Sequence, residues 1–269
     1  MLDTTQYVQP PVAGPQVHRI SQIGMRYALH APEDWHGGPV VVAVHGISRN
    51  WLEVLEAFTP HCARAGAALI VPRFSRRGYR GYQRLRTGSR DVAADRALDL
   101  VLKDAEIRLG EAVERVHLFG FSGGAQFVHR YTLVNPDKVL RQVLTAAGFY
   151  TMPDPRTPFP YGLGATKQRP AFDLDGLMVP TKVFVGSDDT ERDEDLRQHG
   201  DLDRLQGVHR VERATRFTLA VRAASSVQGV PPACSLEVLP FCDHSFRRCV
   251  EVGDLARRAV DFLLSGSSR

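Results

Sequence analysis

The stretch that is most informative about the fold is Val116-His117-Leu118-Phe119-Gly120-Phe121-Ser122-Gly123-Gly124-Ala125-Gln126. A short apolar run with β-branched and aromatic residues ends in glycines around a serine, and a segment of helical composition follows at once. This order predicts a buried strand, a tight turn and a helix. Glycine at positions 120 and 124 would let the strand and the helix approach each other closely, because neither residue carries a side chain.

The same residues match the pattern G-x-S-x-G, in which a serine stands exposed on a strained strand-to-helix turn. Gly123 would then open the helix with an unpaired N–H that is free to donate to an oxyanion. The pattern alone also suits a glycine-rich turn whose serine only caps the helix. The assignment of Ser122 as a nucleophile therefore depends on partners elsewhere in the chain.

The composition is that of a globular protein of 269 residues, with 43% hydrophobic and 24% charged residues. The 34 basic and 30 acidic residues nearly balance, which argues against nucleic-acid binding by total charge. No apolar run approaches the ~20 residues that would cross a membrane, and residues 1–16 lack a secretory signal. We expect a cytoplasmic protein with a flexible arm at 1–16. The four cysteines lack C-x-x-C spacing and are expected to be reduced, with a disulfide between Cys242 and Cys249 as the alternative.

Predicted strands alternate with predicted helices along the rest of the chain. This alternation indicates right-handed crossovers and a mostly parallel sheet flanked by helices, built as a single domain from 17 to 269. We expect the first strand, 25–30, at the sheet edge. The further strands are predicted at 39–44, 67–71, 139–147, 181–185 and 235–239, and the helices at 51–66, 89–109, 215–227 and 252–264, with another directly after Ser122.

An irregular segment at 149–180 carries several prolines and aromatic residues. A stretch of this length without regular structure is usually a lid or a binding loop, otherwise a disordered insertion. We expect it to be a small loop-like lid, since it is too short for a separate domain.

Acidic residues follow the strand at 181–185, at the end where parallel sheets bind their ligands. A serine hydroxyl is a poor nucleophile unless a histidine takes its proton and an acid orients that histidine. Either Asp188 or Asp189 would serve as the acid, and both would also suit caps of the next segment. We expect the charged run at 190–193 to be a solvated face.

The histidine that follows the last strand and precedes the last helix is His244. In one of the known arrangements the nucleophile, the acid and the histidine occur in this order along the chain. His199 and His209 also lie downstream of the two aspartates, but in polar stretches without a preceding strand. We therefore predict His244 as the general base, against the alternative of an ordinary surface or core histidine.

The segment His45-Gly46-Ile47 follows the strand that should lie beside the elbow strand. A backbone N–H from this loop is the expected second oxyanion donor, so we assign the N–H groups of Ile47 and Gly123 to the oxyanion hole. Gly46 would let the backbone turn inward. His45 lies upstream of the serine and is expected to be a hydrogen-bonded structural residue.

The sequence gives little indication of a nucleotide-binding site or a metal site. The glycines do not form G-x-G-x-x-G, no G-x-x-x-x-G-K-[ST] occurs, and the histidines and cysteines lack zinc-ligand spacing, so we expect no cofactor and no metal. The arginine-rich loop at 73–86 would either bind a substrate carboxylate at the rim of the site or be solvated, and solvation is the favoured interpretation.

Strand-His-Gly-x, strand-Gly-x-Ser-x-Gly-helix, strand-Gly-x-x-Asp and strand-x-Asp-His before a final helix together resemble the α/β-hydrolase superfamily of serine hydrolases. The resemblance spans nearly all of 25–264, and Phe119 to Gly124 is similar to the polyhydroxybutyrate-depolymerase/feruloyl-esterase-like group. It implies the α/β-hydrolase fold. Its Gly-x-x-Asp register places the acid on Asp189.

The resemblance implies a serine esterase that cleaves a small-molecule carboxylic ester through Ser122, His244 and Asp189 and an acyl-enzyme. The same triad would also support an acyltransferase or an amidase or peptidase. A catalytically silent binding protein with this fold is a further alternative, which the complete set of partners disfavours. No nucleic-acid or membrane partner is expected.

Overall fold

The computed structural model describes residues 14–167, 170–231 and 233–266. Its strands are β1 (Gln16–Ile20), β2 (Met25–His30), β3 (Val40–Val44), β4 (Ala68–Arg73), β5 (Val116–Phe121), β6 (Val139–Thr145), β7 (Thr181–Gly186) and β8 (Cys234–Leu239). Its helices are α1 (Trp51–Arg64), α2 (Ala94–Leu109), α3 (Gly123–Val134), α4 (Gly200–Gln206), α5 (Arg210–Val227), α6 (Phe246–Glu251) and α7 (Leu255–Leu264).

All eight strands form one sheet in the order β1-β2-β4-β3-β5-β6-β7-β8. β2 pairs antiparallel with β1 and with β4, and every other neighbouring pair is parallel. β3 and β5 lie in the middle and are buried along their whole length, as their continuous apolar runs predict. The predicted, mostly parallel sheet is confirmed.

Helices cover both faces of the sheet, and each face has its own apolar core. On one face α2, α3 and α5 contribute Leu98, Phe127 and Phe217. On the other face α1, α6 and α7 contribute Phe58, Cys249 and Val260. The helices therefore cover both faces of the sheet. A ligand-binding site is expected at the loops that follow the carboxyl ends of the parallel strands.

The prediction that 25–30 forms the edge of the sheet is wrong. β1 forms a hairpin with β2 and takes the edge position, and Gly24 with a φ of 64° lies in the turn between them. β1 has only an alternating, half-exposed pattern, and Val17 is 55% exposed. A short, polar edge strand gives a weak periodic signal, which is why the sequence pattern missed it.

Helix boundaries differ from the predicted ones where the sequence is polar. α5 begins at Arg210 instead of 215, α4 was not predicted, and α2 begins at Ala94 instead of 89. The predicted helix at 252–264 is α7, with α6 as a separate short helix before it. Residues 1–13 of the predicted arm lie outside the described residues, and Gln16 already belongs to β1.

The described part of the segment 149–180 is irregular, as predicted, apart from a 3-10 turn at Leu174–Leu177 and two isolated bridges. It is nevertheless anchored to the domain. The buried guanidinium of Arg130 donates to Thr151 Oγ1 over 2.9 Å, and Gln206 bonds both the N–H and the carbonyl of Tyr150 over 2.8 Å. Its predicted role as a lid stays a prediction.

Two further observations concern the cysteines and the membrane-spanning potential of the helices. All four cysteines are free and buried. Within the described ranges, no helix combines the length and the apolar character that crossing a membrane requires.

Candidate active site

Ser122 lies at a sharp corner between β5 and α3. Its φ of 53° and ψ of −114° fall in a region that L-residues rarely adopt, so the backbone is strained at this position. A Cβ on Gly120 would lie 2.5 Å from Ala125 N, and one on Gly124 would lie 2.7 Å from His45 O. Only glycine fits both positions, and the turn therefore depends on this pair of residues.

Three of the predicted side chains meet at this corner. His244 Nε2 lies 3.1 Å from Ser122 Oγ, and His244 Nδ1 lies 2.8 Å from Asp189 Oδ2. A carboxylate only accepts hydrogen bonds, so Nδ1 carries the proton and Nε2 is left to accept from the serine hydroxyl. The arrangement has the geometry that a serine nucleophile and its general base require.

The two candidate acids have different surroundings. The side chain of Asp189 is 1% exposed and bonds the imidazole, whereas Asp188 is exposed and accepts a 2.8 Å hydrogen bond from the hydroxyl of its neighbour Ser187. The backbone N–H of Asp188 donates to the carbonyl of Cys242, which ties the two loops together. Of the two aspartates, Asp189 is the one that bonds His244.

The ring of Phe121, the residue before the serine, supports the imidazole. The rings of Phe121 and His244 stack with centroids 5.4 Å apart, and Phe246 meets Phe121 edge-on at 5.3 Å. The apolar contact limits the orientations that the imidazole can adopt, so its two nitrogens stay directed at Ser122 and Asp189.

The loop after β3 lies against the start of α3. A Cβ on Gly123 would lie 2.7 Å from Ile47 Cγ2 and 3.5 Å from Ile47 N, so the two predicted oxyanion donors are neighbours. As the first residue of α3, Gly123 has an N–H without a carbonyl one turn back in the helix. The Tyr82 hydroxyl donates to the His45 carbonyl over 2.7 Å and holds this loop in place.

His45 is fully buried and hydrogen-bonded at both ring nitrogens. Its Nδ1–H donates to the Gly46 carbonyl over 2.7 Å, and Nε2 accepts from the N–H of Phe74 over 3.0 Å. Burial lowers the pKa of His45 to about 4, so the ring is neutral at pH 7. His45 thus links the loop after β3 to the end of β4, which agrees with its predicted structural role.

The other histidines downstream of the aspartates lie elsewhere. His209 precedes α5 and accepts a hydrogen bond from the N–H of Glu212. His199 is exposed, with Nδ1 3.8 Å from Asp201. Neither is among the residues that contact Ser122.

A pocket of ≈ 330 Å³ opens over Ser122, within the size range of small-ligand sites. Its walls come from the loop after β3, the start of α1, Asp195 and the start of α6. The described part of the segment 149–180 does not line this pocket. Glu53 and Arg247 face each other across one wall with a 3.2 Å ion pair.

The loop at 73–86 is solvated only in part, and its proposed binding of a substrate carboxylate stays a prediction. Its aromatic residues Phe74, Tyr79 and Tyr82 are buried, and Phe74 and Tyr82 stack at 4.8 Å beneath the loop after β3. The side chains of Arg76 and Arg80 are exposed. The loop therefore supports the site through its aromatic residues, whereas several of its arginines face solvent.

Sequence reasoning missed two residues beside Asp189. The buried guanidinium of Arg210 contacts Asp189 Oδ1 at 3.2 Å and bonds both oxygens of Asp193. Asp193 belongs to the charged run that was predicted as a solvated face, and this expectation does not hold for it. The signal was weak, because arginine is abundant in this chain and these residues lie in different loops.

Comparison with known proteins gives matches among structures alone. Neither a protein-family model nor a curated protein sequence matches the chain. Poly(aspartic acid) hydrolase-1 from Sphingomonas sp. KT-1 superposes with a TM-score of 0.78 at 23% identity, over 96% of this chain and 100% of that one. A poly(3-hydroxybutyrate) depolymerase from Bordetella parapertussis gives 0.77 at 24% identity, over 96% and 91%.

An S-formylglutathione hydrolase from Agrobacterium tumefaciens superposes with a TM-score of 0.59 at 16% identity, over 93% of this chain and 95% of that one. These similar structures are hydrolases of the α/β-hydrolase type. Their similarity extends over nearly the whole chain. The chain therefore has the α/β-hydrolase fold that its sequence predicts.

Proposed function

We propose that this protein is a serine hydrolase that cleaves small carboxylic esters through Ser122, His244 and Asp189. The observation that carries the proposal is the continuous chain of contacts at 3.1 Å and 2.8 Å from the serine hydroxyl through the imidazole to a buried carboxylate. These contacts join three loops at the carboxyl ends of β5, β7 and β8, where ligands bind in sheets of this kind.

In the first half of the reaction Ser122 Oγ attacks the acyl carbon while His244 Nε2 takes its proton. The carbonyl oxygen becomes an oxyanion, which the N–H groups of Ile47 and Gly123 stabilise. The tetrahedral intermediate collapses, His244 returns the proton to the leaving alcohol, and the acyl group stays on Ser122 as an ester. Asp189 holds the imidazole in the productive tautomer and stabilises its positive charge.

In the second half water replaces the alcohol. His244 takes a proton from the water, the resulting hydroxide attacks the acyl carbon, and the oxyanion forms again at Ile47 and Gly123. Collapse of this intermediate returns the proton to Ser122 and releases the carboxylic acid. Esters are the proposed substrates because an alkoxide leaves more readily than an amide nitrogen, and an open pocket of ≈ 330 Å³ admits a small acyl group and water.

The proposal is tested with p-nitrophenyl esters of increasing acyl length. The wild-type chain should hydrolyse at least one short ester, and Ser122→Ala should lower kcat by about 10³-fold or more. A matched control is Ser226→Ala, because Ser226 is exposed on α5 away from the site and its hydroxyl donates to the Arg222 carbonyl of the same helix over 3.0 Å. Unchanged turnover by a folded Ser122→Ala protein would refute the proposal.

Offering an amine or a second alcohol to the acylated protein separates hydrolysis from acyl transfer. A hydrolase should release the free acid as the main product at all practical acceptor concentrations. If the acyl group passes mainly to the added acceptor, the protein is an acyltransferase on the same triad.

A further inference from the structure

Arg210 is a buried arginine in direct contact with the proposed catalytic acid. Its side chain is 1% exposed, and Nη1 lies 3.2 Å from Asp189 Oδ1. The other oxygen of Asp189 accepts from His244, so the carboxylate is held from two sides. Asp189 thus lies between the guanidinium and the imidazole, so a change in the charge at Arg210 alters the electrostatic environment of His244.

The same guanidinium binds a second carboxylate. Nη1 lies 2.8 Å from Asp193 Oδ2 and Nη2 lies 3.0 Å from Asp193 Oδ1, a bidentate pair. These hydrogen bonds keep the pKa of Asp193 below its usual value, and the nearby His244 acts in the same direction. Asp193 therefore stays ionised at neutral pH beside the guanidinium.

The position of Arg210 is set by the start of α5. His209 precedes the helix, and its side chain accepts from the N–H of Glu212, which fixes the first turn. One turn later, the buried Arg213 donates to the Gly148 carbonyl over 2.6 Å. Because both arginines are buried and bonded, Arg210 is a fixed part of the site and not a mobile surface charge.

The charges of this group complement one another. Asp189 and Asp193 carry two negative charges and Arg210 carries one positive charge, which leaves a net charge of about −1 beside the imidazole. One positive charge develops on His244 when it takes the proton of Ser122. The group is thus neutral when the imidazolium forms and carries one negative charge when the imidazole is neutral.

We propose that Arg210 is a positioning residue that tunes the basicity of His244 by neutralising one of two carboxylates, while it fixes Asp189 behind the imidazole. The proposal rests on the function proposed above. With Arg210 absent, the two negative charges of Asp189 and Asp193 would favour the imidazolium over the neutral imidazole. With Asp193 neutral, the imidazole would be a weaker base.

Other charged groups also surround His244. From the loop after β7 come Asp188, Glu191 and Asp195, from its own loop and α6 come Asp243, Arg247 and Arg248, and from α1 comes Glu53. These groups line the open pockets beside the imidazole, where water screens them. Arg210 is the charged side chain of α5 that bonds Asp189. Because it is buried, its charge is screened less by water than the charges that line the pockets.

The test is the pH dependence of kcat/KM for a p-nitrophenyl ester with the full chain. The acid limb is the low-pH side of this profile, where kcat/KM falls. Arg210→Met should move the acid limb to higher pH by about one unit, and Asp193→Asn should move it to lower pH. The double variant restores the net charge of the group and should return the limb close to the wild-type position. Arg210→Lys, which keeps the charge, should stay close to wild type.

Opposite shifts of the limb distinguish this role from a purely structural one. A structural contact would lower kcat at every pH and leave the limb unmoved, and that result in Arg210→Met and Asp193→Asn would overturn the proposal. Asp193 is 32% exposed at its side chain, so Asp193→Asn supplies the test if Arg210→Met does not fold. Arg216→Met, on the exposed side of α5, should not move the limb.

Failure of this inference and failure of the proposed function give different results. If Ser122→Ala abolishes turnover but neither variant moves the limb, the role of Arg210 alone is refuted. If Ser122→Ala retains turnover, the triad itself is refuted and the role of Arg210 falls with it.

Discussion

Gly186, at the end of β7, lies directly against the backbone of Cys242 in the loop that carries His244. A Cβ at Gly186 would lie 2.6 Å from the carbonyl carbon of Cys242 and 3.0 Å from its Cβ. The two loops that bear the acid and the base thus approach each other through a glycine, three residues before Asp189 and two residues before His244. This approach explains the Gly-x-x-Asp spacing in steric terms.

The first prediction follows from this contact. Gly186→Ala should push the loop of His244 away from Asp189, lower kcat/KM by about 100-fold and lower the free energy of unfolding by ~3 kcal/mol. Steady-state kinetics and urea denaturation measure the two effects. Gly200→Ala is the control, because a Cβ there meets only Arg204 Nη1 at 3.6 Å. Equal behaviour of the two variants would contradict the account.

The second prediction separates the adjacent aspartates. Asp189→Asn should lower kcat by about 10⁴-fold, because the amide would favour the wrong imidazole tautomer. Asp188→Asn should change kcat by less than about threefold, because Asp188 is exposed and bonds Ser187. Steady-state kinetics on the same ester decides between them, and a larger effect at Asp188 would move the acid to that residue.

The third prediction concerns the loop that supplies the oxyanion donor at Ile47. Tyr82→Phe removes the hydrogen bond to the His45 carbonyl and should lower kcat by about tenfold with little change in KM, because a loosened loop places the donor less well. Tyr79→Phe removes a comparable buried bond, 3.1 Å to the Ile23 carbonyl, away from the site.

Both tyrosine variants should lose ~1 kcal/mol of unfolding free energy. Only Tyr82→Phe should lose kcat. If Tyr79→Phe reduces kcat as strongly, the effect reflects general destabilisation and not the position of the loop.

The fourth prediction is a pH dependence of stability. Burial lowers the pKa of His117 to about 4 in the folded chain, against 6.5 for the ordinary side chain. The unfolded chain then binds the extra proton first, so the free energy of unfolding decreases as the pH falls below 6.5 and the decrease is complete near pH 4. His45 and His129 are also buried with lowered pKa values and act in the same direction.

His117→Phe isolates one of these contributions. Neither ring nitrogen of His117 has a hydrogen-bond partner, so the variant removes a titrating group without breaking a bond. The loss of unfolding free energy between pH 7 and pH 5, measured in urea, should be smaller in the variant than in wild type by ~2 kcal/mol. An equal loss of unfolding free energy in the variant and in wild type would show that His117 does not titrate as described.

The parts of the fold that the sequence predicts are those with strong local patterns. β3 and β5 are continuous apolar runs, and the turn at Ser122 is specified by glycines that nothing larger can replace. The polar edge strand β1 and the polar first turn of α5 at Arg210 lack such patterns. Their positions depend on pairing and ion contacts that form only when the whole chain is folded.

The candidate site was predictable for a related reason. Ser122, Asp189 and His244 each follow a strand, and parallel strands bring their carboxyl ends to one edge of the sheet. Arg210 and Asp193 meet this site through long side chains from a helix start and an irregular loop. No spacing along the chain encodes such a contact, and it becomes visible only in three dimensions.

The most direct test of the central claim is to react the protein with a fluorophosphonate and locate the adduct by peptide mass spectrometry. We expect one adduct per chain, on Ser122, with loss of ester hydrolysis in proportion to labelling. His244→Ala should label much more slowly, because Ser122 then lacks its base. Ester hydrolysis that persists with Ser122 fully labelled, or an adduct on another residue that tracks the loss of activity, would contradict the central claim.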